Sequence, residues 1–257
     1  MRRTDSIRES AQALRCTYIR DNIDAFVEEA ALEEYGVAEA IDVLFSRELE
    51  TRRANTIRRN TMAARFPYRM DFGSFETSHL SPEVRREARR LSTLQFVADK
   101  ANVVLVGNPG VGKTALAVAC GHAACAEGMR VSFVSVPNLV TEMKEAMSLN
   151  ELTRYRRNFE RYDLVILDDL GYCSFSKECG EVLFNLLSNR NQKGSMVITT
   201  NLTFDRWNEV FKDEVLTGAI VDRVGHKAHV VDMTGESYRV IETERWLKES
   251  WKEDSAV

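Results

Sequence analysis

The segment GNPGVGKT, residues 107–114, constrains the fold of this chain more than any other feature. It matches the phosphate-loop pattern G-x-x-x-x-G-K-[ST] at every position, with an apolar run before it and a small-residue helical stretch after it. Such a loop joins a strand to a helix, and its glycines let backbone N–H groups surround phosphate oxygens at the positive end of the helix dipole. The segment therefore predicts an α/β fold with a nucleoside triphosphate site.

Two side chains of this loop have separate expected roles. The Lys113 ammonium is expected to reach the β- and γ-phosphates, and the Thr114 hydroxyl is expected to ligate Mg²⁺. The residues predicted to bind the nucleotide are Gly107, Asn108, Pro109, Gly110, Val111, Gly112, Lys113 and Thr114.

The bulk composition limits the class of protein. With 257 residues, of which 44% are hydrophobic and 29% charged, the chain is long enough for one sizeable α/β domain and a smaller appendage. No apolar run approaches the roughly 18–20 residues that span a bilayer, and no apolar stretch follows the basic N-terminus, so neither a membrane segment nor a signal peptide is predicted. The five cysteines contain no C-x-x-C pair and are expected to be reduced thiols, which favours a cytoplasmic protein.

Local patterns divide the chain into four regions. Residues 1–66 contain no proline and one glycine, Gly36, and carry apolar residues at helical spacing, so they predict a small all-α domain with a break at Gly36. Its last helix is expected to end before Pro67, and a short helix is expected to begin after Ser81. The predicted regions are 1–66 (helical domain that binds a partner or DNA), 67–100 (linker and lead-in helix), 101–245 (nucleotide-binding domain) and 246–257 (tail).

Strand and helix patterns alternate from residue 102 onward. Short apolar strands that alternate with helices predict a parallel sheet covered by helices on both faces. The five predicted strands are 102–106, 130–136, 163–168, 195–200 and 228–232.

Two carboxylates end the third predicted strand. Residues 164–167 are apolar, and Asp168 and Asp169 follow them. A buried strand would deliver Asp168 to the carboxyl edge of the sheet beside the phosphate loop, where it can hold Mg²⁺ directly or through water. Asp169 is then placed to orient or deprotonate an attacking water.

Two further polar residues are candidates for the same reaction. Asn201 follows the fourth predicted strand, where its amide can bridge the γ-phosphate and the lytic water without ionising. Arg223 lies late in a helical stretch and can act as a finger that neutralises transition-state charge in the site of a neighbouring subunit; a surface salt bridge is its alternative role. The residues expected to act in catalysis are Lys113, Asp168, Asp169, Asn201 and Arg223, and the predicted Mg²⁺ ligands are Thr114 and Asp168.

From about residue 72 to residue 239 the chain resembles the IstB/DnaC-like AAA+ ATPases, and more closely the IstB-like insertion-sequence ATP-binding proteins. The segments that carry the resemblance are GNPGVGKTALA, RYDLVILDDLGY (161–172), VITTNLTFDRWNEVF (197–211) and AIVDRVGHKAHVVDMTGESYR (219–239). The resemblance implies a P-loop AAA+ core with a five-stranded parallel sheet flanked by helices, preceded by a small all-α domain. Two positions depart from it: Ala115, where many relatives carry histidine, and Asp169, where many AAA+ proteins carry glutamate. The shorter Asp169 predicts slow, regulated hydrolysis.

The resemblance also implies a function. Its members look like ATPases that assist a DNA transposase: they assemble on duplex DNA when ATP is bound, remodel or bend it, and recruit the transposase to its target, after which hydrolysis resets the complex. The expected cofactors are ATP and Mg²⁺. The expected partners are duplex DNA, a transposase and further copies of the chain in a ring or helical assembly, with no membrane.

The distribution of charge fits contact with DNA, although the net charge is −4. Seven arginines and two glutamates lie between residues 47 and 69, and RREARR (85–90) adds four arginines against one glutamate; either run can also be a solvated helix face. Initiator- and loader-type relatives carry an extra helical insert after the second strand that faces nucleic acid, and residues 137–161 correspond to it. The residues of this insert expected to contact the DNA backbone are Lys144, Arg154, Arg156, Arg157 and Arg161.

Three alternatives remain open. A helicase loader has the same ATPase core and a different client, and the GESYR ending and the Trp207 region favour the transposase helper over it. A small-molecule P-loop kinase needs an acceptor pocket and usually an arginine-bearing lid, and no lid-like segment is evident. A non-hydrolysing scaffold would use ATP only as an assembly signal, which Asp168, Asp169 and Asn201 disfavour.

Overall fold

The computed structural model of the protein describes residues 3–254, without the side chains of residues 3, 245 and 248–254. The chain divides into two compact units, Met1–Arg59 and Asn60–Val257. This division falls inside a helix, whereas the boundary predicted at residue 66 follows that helix, and the four predicted regions stay a prediction. Residues 255–257 of the predicted tail lie outside the described residues. Within the described part of the chain, no helix has both the length and the apolarity that crossing a membrane requires.

Three helices contribute to the first unit: α1 (Arg3–Ala13), α2 (Thr17–Leu32) and the first part of α3 (Val37–Ala64). The predicted break at Gly36 separates α2 from α3. Glu48 of α3 is buried, and its carboxylate accepts hydrogen bonds from the first three backbone N–H groups of α2 at 3.1, 2.8 and 3.3 Å. Because those groups have no partner within their own helix, this carboxylate ties α3 to the start of α2.

The second unit is built on a parallel sheet of five strands in the order β2-β3-β4-β1-β5. The strands are β1 (Asn102–Val106), β2 (Val131–Ser135), β3 (Leu164–Leu170), β4 (Ser195–Thr200) and β5 (Ala228–Asp232). The helices are α4 (Pro82–Ser92), α5 (Gln95–Ala98), α6 (Lys113–Ala126), α7 (Val136–Ser148), α8 (Leu152–Glu160), α9 (Lys177–Arg190), α10 (Asn208–Phe211), α11 (Glu214–Gly225) and α12 (Tyr238–Asp254), with one 3-10 turn at Phe204–Arg206. The predicted α/β fold, a five-stranded parallel sheet flanked by helices after an all-α region, is confirmed.

Each face of the sheet has its own hydrophobic core, because alternate residues of a strand point to opposite sides. Val103 and Ile166 pack against α4, α5 and α6. Val104 and Val165 pack on the other side, against α7 to α11. These two sides are called the α6 face and the α9 face below.

Helix α4 begins where the sequence predicts it. The Ser81 hydroxyl accepts a hydrogen bond from the Val84 N–H at 3.3 Å, and Pro82 occupies the first turn, where its missing N–H costs nothing. Helix α3 ends at Ala64, before Pro67, as expected.

The connection between β2 and β3 contains two helices with different roles. Helix α7 buries Leu139 and Met143 in the core of the α9 face, so it is the crossover helix that a parallel connection needs. Only α8, which buries Phe159, is additional to that connection. The prediction of one helical insert over 137–161 is therefore wrong for its first half, because the crossover itself requires α7.

Candidate functional site

The phosphate loop, residues 107–112, connects β1 to α6. Gly112 precedes the helix with a φ of 99°, in the left-handed region that glycine adopts readily. A Cβ at Gly107 would lie 2.8 Å from the carbonyl carbon of Met233, so that position admits no side chain. The backbone geometry thus requires glycine at both positions where the motif has it.

Lys113 is held inside this loop. The residue is 7% exposed, and its Nζ donates hydrogen bonds to the carbonyl oxygens of Gly107 and Asn108, both at 2.8 Å. Burial lowers the pKa of the ammonium, and the nearby carboxylates of Asp169 and Asp168 act in the opposite direction. A buried cation therefore lies between the loop carbonyls and the carboxylates, where it can bind an anionic group.

Asp168 is held by two hydroxyl groups. Its Oδ1 accepts hydrogen bonds from Thr114 Oγ1 at 3.0 Å and from Thr199 Oγ1 at 2.6 Å. Burial raises the pKa of this carboxyl group, and the two hydroxyls lower it. The structure thus brings the two predicted Mg²⁺ ligands into contact and adds Thr199, a fully buried residue of β4.

Asp169 has an unusual backbone conformation. Its φ is 64°, and the pairing of β3 with β4 shifts register between Leu167 and Leu170, which marks a bulge. Its backbone N–H donates to Thr199 Oγ1 at 2.9 Å. Aspartate tolerates the left-handed region better than most residues with a side chain, which gives a physical reason for aspartate at this position.

Several of these groups open into one cleft of about 520 Å³, a size typical of small-molecule sites. Its walls come from the phosphate loop with the start of α6, the end of β3, the connector before α4 and the start of α12. Asp169 lines the cleft together with Lys113 and Thr114. The connector and α12 contribute Tyr68, Met70, Tyr238, Arg239 and Glu242.

The contributions of α12 and of the connector were not predicted. The Tyr238 N–H donates to the carbonyl oxygen of Gly110 at 3.0 Å, which holds the first turn of α12 against the phosphate loop. Burial raises the pKa of Tyr68, and the carboxylate of Asp168 is close enough to raise it further. The GESYR segment contains Arg239 but does not predict its place in the cleft, and no sequence signal marks Tyr68.

Three predicted catalytic residues are not among those that line the cleft: Asp168, which contacts the lining residue Thr114, and also Asn201 and Arg223. Asn201 follows β4, and its Oδ1 is buried against Gly171 with no hydrogen-bond partner among the residues that the structure describes. Arg223 lies on α11 with 42% of its side chain exposed, and it pairs with its neighbour Asp222 at 3.3 Å. A single chain therefore brings together the loop and the two carboxylates, but not the arginine.

The basic residues predicted to contact DNA occupy different positions. Arg154, Arg157 and Arg161 are exposed and follow the i, i+3, i+7 spacing of one helix face. Arg154 also pairs with Glu151 at 3.2 Å. Arg156 lies on another side of α8 and is partly buried, while Lys144 is exposed on α7.

The chain is similar to ATP-binding proteins of insertion sequences. The model of the family described as IstB-like ATP binding protein matches residues 9–245. The insertion sequence IS21 putative ATP-binding protein of Pseudomonas aeruginosa is 32% identical over 229 residues, which cover 89% of this chain and 86% of that protein. The insertion sequence IS5376 putative ATP-binding protein of Geobacillus stearothermophilus is 28% identical over 250 residues, which cover 97% of this chain and 99% of that protein.

Solved structures share the fold over about two thirds of this chain. The crystal structure of DnaI has a TM-score of 0.55 and 23% identity, over 66% of this chain and 90% of that one. AMPPCP-bound DnaA from Aquifex aeolicus has a TM-score of 0.58 and 16% identity, over 72% of this chain and 56% of that one. At these identities the likeness establishes a shared P-loop architecture and nothing about activity.

Proposed function

The chain belongs to the family of IstB-like ATP binding proteins, and we propose that it is an Mg²⁺-dependent ATPase that assembles on duplex DNA and assists a transposase. Membership of the family accounts for ATP binding, and the other steps go beyond it. The observation that carries the proposal is the hydrogen-bonded chain Thr114–Asp168–Thr199 beside the buried Lys113. It holds a carboxylate suited to Mg²⁺ directly against a phosphate loop.

The residues of the cleft fit ATP and Mg²⁺. Thr114 Oγ1 and Asp168 Oδ1 lie 3.0 Å apart and are oxygen donors of the kind that Mg²⁺ prefers. Mg²⁺ in such sites takes one or two protein oxygens and completes its shell with water and substrate phosphates. The side chains that the structure describes include no group of three or more His, Cys, Asp or Glu able to hold a metal ion, which agrees with a metal that binds together with a nucleotide.

The side chains divide the work of hydrolysis between them. Bound ATP supplies the phosphoanhydride bond that water cleaves. Lys113 and the loop N–H groups stabilise negative charge at the phosphates. Asp169 accepts the proton of the attacking water as the water oxygen bonds to the γ-phosphorus and ADP leaves. A role of Asn201 in orienting that water stays a prediction, because its Oδ1 is buried against Gly171 outside the cleft. Thr199 is a positioning residue, because it fixes the carboxylate of Asp168 and the backbone of Asp169 through one hydroxyl.

Thr199→Val tests this positioning role. We expect the Mg²⁺ concentration for half-maximal turnover to rise about 10-fold, since the carboxylate loses its orienting partner. The free energy of unfolding is expected to fall by about 1–3 kcal/mol, because the partly buried Asp169 N–H also loses its acceptor. ATPase assays against Mg²⁺ and thermal unfolding measure the two effects. Thr199→Ser keeps the hydroxyl and is expected to restore both; a serine variant as impaired as the valine variant would contradict the role.

Arg223 is proposed to complete the site of a neighbouring subunit. On its own chain it lies outside the cleft, and its observed ion pair is with the exposed Asp222. An arginine finger supplied by a second molecule contributes about 10³-fold or more to phosphoryl transfer. Turnover would then require assembly of the subunits, which agrees with the proposal that bound ATP promotes that assembly.

Arg223→Ala is expected to keep ATP affinity near the wild-type value and to lower DNA-stimulated turnover by about 10²–10³-fold. Arg206→Ala, which removes an exposed arginine paired with Glu209 at 2.8 Å, is the matched control. A mixture of Arg223→Ala with Lys113→Ala should recover part of the turnover, because the first keeps the phosphate loop and the second keeps the finger. A wild-type monomer with the full rate would exclude a role in a second subunit.

The proposed partners rest on separate observations. Arg154 and Arg157 of α8 are exposed, as is Arg161, which follows the last residue of the helix and keeps a helical backbone conformation. Guanidinium groups at this spacing bind backbone phosphates with little sequence preference. The transposase is proposed because the relatives are described as ATP-binding proteins of insertion sequences. The fold likeness to the structure of the DnaC helicase loader, with a TM-score of 0.51, keeps a helicase loader as the second candidate.

ATPase measurements with and without duplex DNA test the proposed function, followed by electron microscopy with a slowly hydrolysed ATP analogue. Stimulated turnover and ring or helical assemblies on DNA are expected. No turnover under either condition would favour an ATP-binding scaffold. Binding to a replicative helicase, with none to a transposase, would favour the helicase loader.

A further inference from the structure

Helix α4 carries a second basic face that the proposed site does not use. The helix buries one stripe, Val84, Ala88 and Leu91, in the core of the α6 face. Away from this stripe stand two adjacent rows of arginines, each with a spacing of four residues. The rows are Arg85 with Arg89 and Arg86 with Arg90.

Little negative charge opposes these guanidinium groups. Arg90 pairs with Glu87 at 3.9 Å. The other three arginines make no ion pair with any side chain that the structure describes. Glu83 has a lowered pKa chiefly because it accepts a backbone hydrogen bond at the start of the helix, and the two nearest arginines add only smaller effects. Most of the positive charge of this face is therefore available to an external anion.

The arginines of α3 are arranged differently. Two of them are engaged in ion pairs with glutamates of the first unit. Arg53, Arg58 and Arg59 are exposed, but they follow no i, i+3 or i+4 relation and point in different directions around the helix. Helices α3 and α4 are both rich in arginine, but of these two helices only α4 has its arginines without ion pairs on one face.

Helices α4 and α8 lie on opposite sides of the sheet. Helix α4 packs on the α6 face, and α8 places Phe159 in the core of the α9 face. The sheet and two helix layers, each about 10 Å thick, separate the two basic faces. A straight duplex bound along α8 therefore does not reach α4 of the same subunit.

We propose that the arginine face of α4 binds the phosphate backbone of a second segment of duplex DNA, distinct from the segment that α8 contacts. Arginine suits this role because its planar guanidinium binds two phosphate oxygens at once. Two parallel rows on one helix can follow a DNA strand without reading its bases. The inference rests on the proposed DNA contact through α8 and adds a second surface to it.

Three triple variants of the full chain test the proposal, each with three arginines replaced by glutamine, which keeps helix propensity and removes the charge. The α4 set is Arg85→Gln, Arg86→Gln and Arg89→Gln. The α8 set is Arg154→Gln, Arg157→Gln and Arg161→Gln. The control set is Arg53→Gln, Arg58→Gln and Arg59→Gln on α3. Fluorescence anisotropy with a mixed-sequence duplex and a slowly hydrolysed ATP analogue gives the affinity across a range of salt concentrations.

The α4 set is expected to make the dependence of log affinity on log salt concentration shallower, with the magnitude of the slope smaller by about 2–3. Each lost phosphate contact contributes about 0.9 to that magnitude. Affinity should fall by roughly 100-fold at moderate salt. The control set is expected to keep the wild-type slope. Combining the α4 and α8 sets should add their slope changes, since the two faces act independently. ATP affinity and the thermal unfolding midpoint of every set are expected to match the wild type.

The possible failures are distinguishable. Wild-type protein that binds no duplex would overturn the proposed function itself. A large loss in the α8 set with none in the α4 set would overturn the α4 surface and leave the proposed function standing. An equal slope change in the control set would show that the effect is not specific to α4. A combined variant no weaker than either set would show one shared surface. Both results would refute a second DNA segment.

Discussion

Asp169→Asn is expected to lower the rate of ATP hydrolysis by about 10²–10⁴-fold while ATP binding stays close to that of the wild type. The amide has the size of the carboxylate but cannot accept the proton of the attacking water. Asparagine also tolerates the φ of 64° that this position requires, so the backbone N–H keeps its 2.9 Å bond to Thr199. Single-turnover hydrolysis and ATP titrations separate the two effects.

Two further variants control this result. Asp205→Asn makes the same chemical change at an exposed position on the 3-10 turn and is expected to keep full activity. Asp169→Glu keeps the base but adds a methylene and tolerates the left-handed backbone less well, so it is expected to lose about 1 kcal/mol of stability. Hydrolysis by Asp169→Asn at more than about a tenth of the wild-type rate would mean that another group takes the proton.

Lys113→Ala is expected to weaken ATP binding by about 10²–10³-fold, or roughly 3–4 kcal/mol. The variant loses the buried cation that faces the phosphates. Unfolding without nucleotide should change little, because removing a desolvated ammonium offsets the loss of its hydrogen bonds to Gly107 and Asn108. The stabilisation that ATP gives the wild type in thermal unfolding should disappear.

Calorimetric titration measures the affinity, and Lys193→Ala, at an exposed position in the turn after α9, is the matched control. Tight ATP binding together with unchanged turnover by Lys113→Ala would refute the assignment of the phosphate loop. Tight ATP binding combined with lost turnover would instead mean that the lysine stabilises only the transition state of hydrolysis.

The parts of the site that are continuous in the sequence could be predicted from it. The loop carries its glycines, lysine and threonine in one short segment, and an apolar strand ends in the two carboxylates. Thr199 could not be found in this way. Its role depends on β4 lying beside β3, and a threonine in an apolar strand has the pattern of any β-branched strand residue.

For the fold too, local sequence patterns predict the strands but not the contacts between distant segments. The five strands were predicted to within two residues at each end, because buried parallel strands are short apolar runs between helices. Helix α7 was assigned to an insert, since a crossover helix and an inserted amphipathic helix have the same periodicity. The walls of the cleft at Tyr68 and Arg239 depend on how the connector and α12 fold back over the loop, and no local pattern encodes that approach.

The strand order also sets when the ATP site can form as the chain is made. Strand β4 lies between β1 and β3 and pairs with both, yet it follows them in the sequence. A nascent chain that has emerged only through α9 already contains the phosphate loop and both carboxylates, but it lacks the strand that joins them. Pairing β4 with β1 closes a long loop, a slow and non-local event. The ATP site can therefore form only after β4 has been made and has paired with both β1 and β3.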